Sequence, residues 1–336
     1  MNIVKQKWEF FNALVPLAPK QTEKLFCFGL QVLALRSIGS LRSNARLTPL
    51  NWHTAKSKMC RLVSNPRIPK LFGALLVRLA VVGVRDIVAV DFSDFGAFHV
   101  LMFAKQTKKG RTIPLYFEIL TYPIGKGSSQ NLFIIKAIGN FAMLVGCKPK
   151  LVFDRGFACP AIIRFLRRNQ HRFVVRIKKC KAVVARETQE RILVRNARRN
   201  DMRAYAYNYD LRLAISEYSG KNEEPWYLIT NDVRSSREKI IDTYYHRFEI
   251  EEFFRDAKRI LGLEHVRFKT PLSLSIALWF AMLGFWFLWE LEEKLGEQTK
   301  KARSMMRLSI IRYYFEQLHK EIILAAEAPF MRLLDG

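Results

Sequence analysis

The sequence predicts an α/β fold with helical regions before and after it. Three observations carry this expectation: β-branched and aromatic runs that begin at Arg85, an alternation of helix-like and strand-like segments after them, and helix-compatible runs towards both ends. With 336 residues, 50% of them hydrophobic, the chain can bury a real core. Its length suggests two domains, or one large domain with an appendage.

Taken in order, residues 1–80 read as helical. Runs at Thr22–Ser37 and Leu71–Val82 alternate with breakers at Gly39, Pro49, Pro66 and Pro69. Strands then follow at Asp86–Phe95, Phe98–Lys105 and Thr112–Tyr122, punctuated by Gly96 and by Lys108-Lys109-Gly110. A loop, Pro123–Gln130, leads to a helix over Asn131–Val145. Lys150–Phe153 is a short apolar strand that ends in Asp154-Arg155-Gly156. A helix at Pro160–Arg168, with proline where a first turn tolerates it, precedes a strand at Arg172–Ile177. Three meandering strands, a helix, a strand, a helix and a strand make the order of a ribonuclease-H-like α/β domain. Residues of about 178–230 form a basic, strand-rich insertion that closes on Trp226–Thr230. The capping box Ser235 to Glu238 opens a helix over about Ser236–Leu261. The expected organisation is a basic helical DNA-binding domain over 1–80, the α/β domain over 81–265, and a C-terminal helical region over 266–336.

The charge narrows the class of partner. The formal net charge is +26, with 56 Lys plus Arg against 30 Asp plus Glu, so a polyanion is expected, most simply nucleic acid. Residues 1–80 carry +11 and residues 161–203 another +11, while the remaining 213 residues share +4. Five scattered cysteines without a CxxC pair fit a reducing compartment and argue against a zinc site. Met1–Lys20 mixes charged residues with short apolar runs and reads poorly as a signal peptide. Ile276–Trp289 is apolar over 14 residues, short of the roughly 20 that a membrane span needs, and is expected to be a buried helix.

The helix after Ser235 carries the chemistry. At ~100° per residue, Tyr244, Arg247, Glu251 and Lys258 line one stripe about 60° wide, flanked by Ile241, Phe248 and Phe254. Polar side chains on an inward face need partners or a purpose. On this helix alone, an ion-pair stripe of Arg247 with Glu251 and Glu251 with Arg255 accounts for them equally well. Two aspartates upstream change the balance. Asp91 interrupts the apolar strand Val88–Phe92, and Asp154 ends a buried-type strand. Such a set of hard oxygen donors suits two Mg²⁺ or Mn²⁺ ions, the arrangement used in phosphodiester chemistry. Asp94 lies three residues beyond Asp91, on the opposite strand face, and ranks below it. Glu249 and Glu252 fall off the stripe, and His246 reads as a surface residue.

These residues resemble the bacterial insertion-sequence DDE transposases of the Tyr-Arg-Glu-Lys signature family, insertion sequence family four. The signature Tyr-x2-Arg-x3-Glu-x6-Lys is met by Tyr244, Arg247, Glu251 and Lys258. Asp91 stands in Val90-Asp91-Phe92-Ser93-Asp94, and the second aspartate in Asp154-Arg155-Gly156-Phe157. The 96 residues between Asp154 and Glu251 leave room for the family's strand-rich insertion. The resemblance implies a cut-and-paste transposase that binds terminal inverted repeats. It implies that Asp91, Asp154 and Glu251 are catalytic and hold the two ions, and that Tyr244, Arg247 and Lys258 bind DNA phosphates. Trp226 would stack a flipped base, although a core-facing strand aromatic is an equal reading of that residue. Double-stranded DNA at transposon ends and target, a homodimeric synaptic complex, no membrane, and a bacterial, cytoplasmic, nucleoid-associated setting complete the expectation. A DNA-binding protein that does not cut and a general ribonuclease-H-like nuclease are the competing readings.

Overall fold

Residues 50–69, 82–108, 110–125, 127–197, 200–216, 224–259 and 268–282, with Leu25, Phe72 and Leu263, are described by the structure, a computed structural model. The chain forms two compact units, residues 80–254 and residues 1–79 with 255–336.

Within residues 80–254, β1 (Ile87–Phe95), β2 (Phe98–Gln106) and β3 (Thr112–Leu120) form an antiparallel meander. The first turn is tight because Gly96 takes φ 64°, a conformation that residues with a Cβ rarely adopt. β3 carries Pro114, which a sheet tolerates there because β3 is an edge strand. Helix α2 (Gln130–Val145) starts at Ser129, whose side chain accepts from Leu132 N–H, and ends on Gly146 in the left-handed region. β4 (Lys150–Phe153) then lies parallel to β1, and after α3 (Pro160–Arg168) β5 (Phe173–Ile177) lies parallel to β4. β4 is buried along its whole length, as expected of a parallel strand covered on both faces. This is the ribonuclease-H-like α/β core that the sequence order predicts.

The insertion extends the same sheet. β6 (Ala182–Ala185), β7 (Arg191–Leu193), β8 (Asp201–Ala206) and β9 (Tyr209–Ile215) are joined to β5 through β10 (Tyr227–Thr230). The ten strands run in the order β3-β2-β1-β4-β5-β10-β9-β8-β6-β7. The β8–β9 hairpin turns on Tyr207 and Asn208, both with positive φ, and Tyr207 donates from its hydroxyl to the Ala158 carbonyl just past Asp154.

The expected helix over about Ser236–Leu261 is interrupted. It consists of α4 (Arg237–Tyr245), a 3₁₀ turn at His246–Phe248, and α5 (Glu249–Arg259). Its cap is Ser236, which accepts from Lys239 N–H, and not Ser235, which instead donates to Asp232. Ile240 and Tyr244 of α4 pack on Val152, Val174, Ala214 and Leu228, so α4 is seated across β4, β5, β9 and β10.

In the other unit, α1 (Trp52–Val63) buries Ala55, Met59 and Leu62 on one face and exposes Lys56 and Arg61. A helix over residues 271–282 buries Leu274, Ile276, Leu278 and Met282, and Phe72 packs edge-on against Phe280. Among the described residues no helix is long and apolar enough to cross a membrane. The helices expected at Thr22–Ser37 and Leu71–Val82, the end of the apolar run beyond residue 282, and residues 291–336 lie outside the described residues.

Candidate active site

Strand register brings the two aspartates together. β1 and β4 pair in parallel from Ile87 opposite Lys150 to Val90 opposite Phe153. Asp91 and Asp154 each follow the last of these paired residues, and each lies within electrostatic reach of the other. Asp91 lies inside β1, whereas Asp154 follows the last residue of β4 and precedes a 3₁₀ turn at Arg155–Phe157. The ring of Phe92 stacks on Phe157 with centroids 5.7 Å apart, holding that turn against β1.

The broken helix supplies the rest. The Tyr244 hydroxyl donates to Asp154 Oδ1 at 2.8 Å. Arg247 donates from Nη1 to Asp91 Oδ2 at 2.7 Å and from Nη2 to Glu251 Oε1 at 2.9 Å. One guanidinium thus bridges the strand carboxylate and the helix carboxylate. It lies against the rings of Tyr244 and Phe248, 5.6 and 4.4 Å from their centroids. The Arg247 and Asp91 side chains are 4% and 20% exposed, but that of Glu251 is 54% exposed, so the group opens to solvent on the Glu251 side.

Electrostatics tie the group together. Burial pushes the Asp91 carboxyl up to about 6; Arg247 and the Phe92 N–H pull it down, while Asp154 and Glu251 push it further up. Burial likewise raises the Tyr244 phenol, which keeps it a neutral donor. For Arg247, burial works against the charge, but Tyr244, Asp91, Asp154 and Glu251 outweigh it and hold the guanidinium ionised.

Of the residues predicted from sequence, Asp91, Asp154, Tyr244, Arg247 and Glu251 are brought together. Trp226 is half-buried beside them, its ring 5.1 Å from that of Tyr244 and 5.6 Å from that of Phe248. Lys258 lies on α5, two turns beyond Glu251. Within the ion-pair stripe, the Arg247–Glu251 half is present.

Two neighbours read differently from the sequence expectation. His246 is not a surface residue: its side chain is 17% exposed and stands between Asp242 and Glu249. Glu249, off the stripe, is itself buried and accepts backbone N–H bonds from Thr107 and Gly110. The signal that could have found it is the density of acids at Glu249, Glu251 and Glu252, more than one solvated face requires. Further along the chain from Asp154, Arg155, Arg164, Arg168, Lys178, Arg191 and Arg195 are exposed.

Whether these carboxylates suit a divalent cation is answered by their chemistry. Asp154 and Glu251 both sit within electrostatic reach of Asp91, oxygen donors of the kind that hard cations prefer. Among the described residues no ready-made cage of three His, Cys, Asp or Glu is gathered, and a guanidinium stands between two of the three acids. The donor set fits such an ion, with Arg247 as the cation it now faces.

A model of the transposase DDE domain matches residues 119–286, half of the chain, and spans Asp154, Trp226, Tyr244, Arg247, Glu251 and Lys258. No curated protein matches. Among solved structures, a piggyBac transposase synaptic complex with hairpin DNA is similar at 11% identity and a TM-score of 0.44, covering 88% of this chain and 76% of that one. Marinitoga piezophila Argonaute in complex with a 5′-OH guide RNA is similar at 14% identity and a TM-score of 0.27, covering 74% and 41%. Similarity at these levels says nothing of what this chain acts on.

Proposed function

Since this chain belongs to the transposase DDE-domain family, whose model matches half of it, we propose that it is a cut-and-paste transposase of the Tyr-Arg-Glu-Lys signature group. Membership itself makes it a protein of DNA transposition and recombination, in a family that uses divalent metal ions. The finer reading is that it binds the terminal inverted repeats of a bacterial insertion sequence, cleaves there and joins the ends to target DNA.

One observation carries this reading: Asp91, Asp154 and Glu251 are gathered around the signature side chains, Tyr244 touching Asp154 and Arg247 touching both Asp91 and Glu251. Asp91, Asp154 and Glu251 would hold two Mg²⁺ or Mn²⁺ ions. Bound there, the ions supply activation of the attacking oxygen and stabilisation of the leaving oxygen in phosphodiester cleavage. The chain's own side chains set the geometry. Tyr244 holds one Asp154 oxygen. Arg247 pulls the Asp91 carboxyl down against the burial that raises it, and orients Glu251. Tyr244, Arg247 and Lys258 would contact phosphates beside the scissile bond, and for Arg247 this requires release of a carboxylate. Trp226 would stack a base flipped out at the transposon end. The exposed cations of residues 161–203 would track the DNA backbone.

The same reading gives residues 1–80 the role of end recognition, residues 81–265 that of catalysis, and residues 266–336 that of dimerisation in the synaptic complex. It places the protein in the bacterial cytoplasm at the nucleoid. One observation favours a DNA-binding protein that does not cut: the Arg247 bridge already gives Asp91 and Glu251 a partner. A single experiment separates the two. Duplex DNA carrying the element's ends is incubated with the protein and Mg²⁺, and the cut ends are mapped. The transposase reading expects end-specific cleavage that Glu251→Gln lowers by about 10³-fold or more, since the acid is needed to hold an ion. Binding without cleavage, or cleavage indifferent to Glu251→Gln, overturns it.

A further inference from the structure

Glu249 points away from the carboxylates of the site, towards the turn between β2 and β3. Its side chain is 6% exposed. Oε2 accepts from the Thr107 N–H and Oε1 from the Gly110 N–H, both at 3.2 Å, and Oε1 lies 2.8 Å from His246 Nδ1. His246 Nε2 lies 3.3 Å from Asp242, which pairs in turn with Lys108. One turn earlier, Gln106 Nε2 donates to the Thr243 carbonyl at 3.0 Å. Residues 106–110 are therefore tied to both sides of the 3₁₀ turn at His246–Phe248.

The tie has two rigid ends. Gln106 ends β2, and Thr107, Lys108 and Gly110 belong to the turn after it; β2 pairs with β1 from Phe98 to Lys105 and sets Met102 opposite Asp91. The 3₁₀ turn carries Arg247, and α5 begins at Glu249, two residues before Glu251. A 3₁₀ segment between two helices fixes the direction in which the second one leaves. A carboxylate this buried is costly unless donors satisfy it, and two of the donors here are main-chain N–H groups from about 140 residues earlier in the chain. Of the hydrogen bonds described, these join the strand pair bearing Asp91 to the first residue of the helix bearing Glu251.

We propose that Glu249 is a positioning residue: it clamps the β2–β3 turn to the 3₁₀ turn and so sets the separation of Asp91 from Glu251 across Arg247. The proposal rests on the transposase reading above. Glu249 touches no substrate and acts through the placement of its neighbours.

The test uses the full chain, DNA bearing the element's ends, and Mg²⁺. Single-turnover cleavage at saturating DNA, the Mg²⁺ concentration for half-maximal rate, the Kd for end DNA, and Tm are measured for wild type, Glu249→Ala, Glu249→Gln and Gln106→Leu. Misplacing a reacting group by about 1 Å costs on the order of 100-fold, so Glu249→Ala is expected to cleave about 10- to 100-fold more slowly. Its Mg²⁺ midpoint should rise several-fold, while its Kd for DNA stays within about threefold, because phosphate contacts carry that affinity. Glu249→Gln keeps one acceptor and should recover part of the rate. A lower Tm with an unchanged rate per folded molecule and an unchanged Mg²⁺ midpoint overturns the proposal and leaves Glu249 a fold staple. If Glu249→Ala does not fold, Gln106→Leu decides: it removes a separate bond of the same clamp, and a rate equal to wild type overturns the proposal. A wild-type chain that does not cleave overturns the transposase reading itself, and the proposal with it.

Discussion

Replacing Tyr244 by Phe removes one hydroxyl and nothing else. The ring is fully buried on Val152, Val174, Leu228 and Ile240, and Phe fills the same space. What is lost is the 2.8 Å bond to Asp154 Oδ1. A hydrogen bond to a charged group contributes about 1.5–3 kcal/mol. Asp154 is half-buried, so water recovers part of that, and the expected loss of stability is about 1–2 kcal/mol. Tyr244→Ala removes the ring as well and should cost about 3–5 kcal/mol through the cavity it leaves. Urea unfolding of the three proteins measures both steps. Because burial raises the phenol and keeps it protonated, the Phe penalty should be flat from about pH 6 to about pH 9. The freed Asp154 oxygen should also slow Mg²⁺-dependent cleavage about tenfold, since the acid is then less well oriented. A Phe variant within about 0.3 kcal/mol of wild type, below the ordinary worth of such a bond, with unaltered cleavage would show that Tyr244 does not hold Asp154.

Other consequences follow from the corners that support the site. Lys150 and Asp232 form a nearly buried ion pair, with side chains 7% and 13% exposed, and Lys150→Met should cost about 3 kcal/mol in urea unfolding because it removes the counter-charge of that carboxylate. Lys150→Met with Asp232→Leu should cost less than the sum of the single changes. Burial pushes the Asp232 carboxyl up, but Lys150 and Ser235 outweigh it and hold it below the usual range, so its contribution is present above the ordinary carboxylate range and is lost as pH falls further. His171 behaves in the opposite sense. Burial, with Lys148 nearby, lowers it to about 4, so the unfolded chain takes up the proton first. Stability should therefore fall by about 2 kcal/mol between about pH 6.5 and about pH 4, after allowance for solvent screening, and His171→Leu should flatten that slope of the urea midpoint. At the β8–β9 turn, where Asn208 has φ 67°, Asn208→Val should lower stability by about 1–2 kcal/mol and Asn208→Gly should leave it nearly unchanged, measured by Tm.

Much of the catalytic core is legible in the sequence because its signals are local. The strands from Asp86 to Thr112 show themselves by β-branched runs between glycine punctuation, and their observed limits differ by one or two residues. Asp91 stands out because a carboxylate inside an apolar strand needs a reason, and Asp154 because it ends a strand of four buried residues. What is hidden depends on distant partners. No glycine or proline in Tyr245-His246-Arg247-Phe248 announces the 3₁₀ turn; the turn is held by residues 106–110, which local periodicity cannot see. A wheel of constant angle therefore drifts beyond residue 245, although the Arg247–Glu251 pair survives because both lie within one turn of the break. Glu249 falls off the stripe, and His246 reads as a surface residue, for the same reason. The choice of Ser236 over Ser235 as cap rests on Asp232, whose carboxylate engages the Ser235 hydroxyl and N–H. The individual strands of the insertion are short and recruited by the edge of β5 through β10, so composition announces strands there without their order.

That Asp91, Asp154 and Glu251 form a single cation site is tested most directly by locating a bound ion on the chain. Fe²⁺ is substituted for Mg²⁺, hydroxyl radicals are generated with ascorbate and peroxide, and the cut fragments are sized by mass spectrometry. Cuts close to residues 91, 154 and 251, all suppressed by excess Mg²⁺ and all lost together in Asp154→Asn, are the predicted result. Cuts elsewhere in the chain, or cuts at these positions that persist in Asp154→Asn, would contradict it.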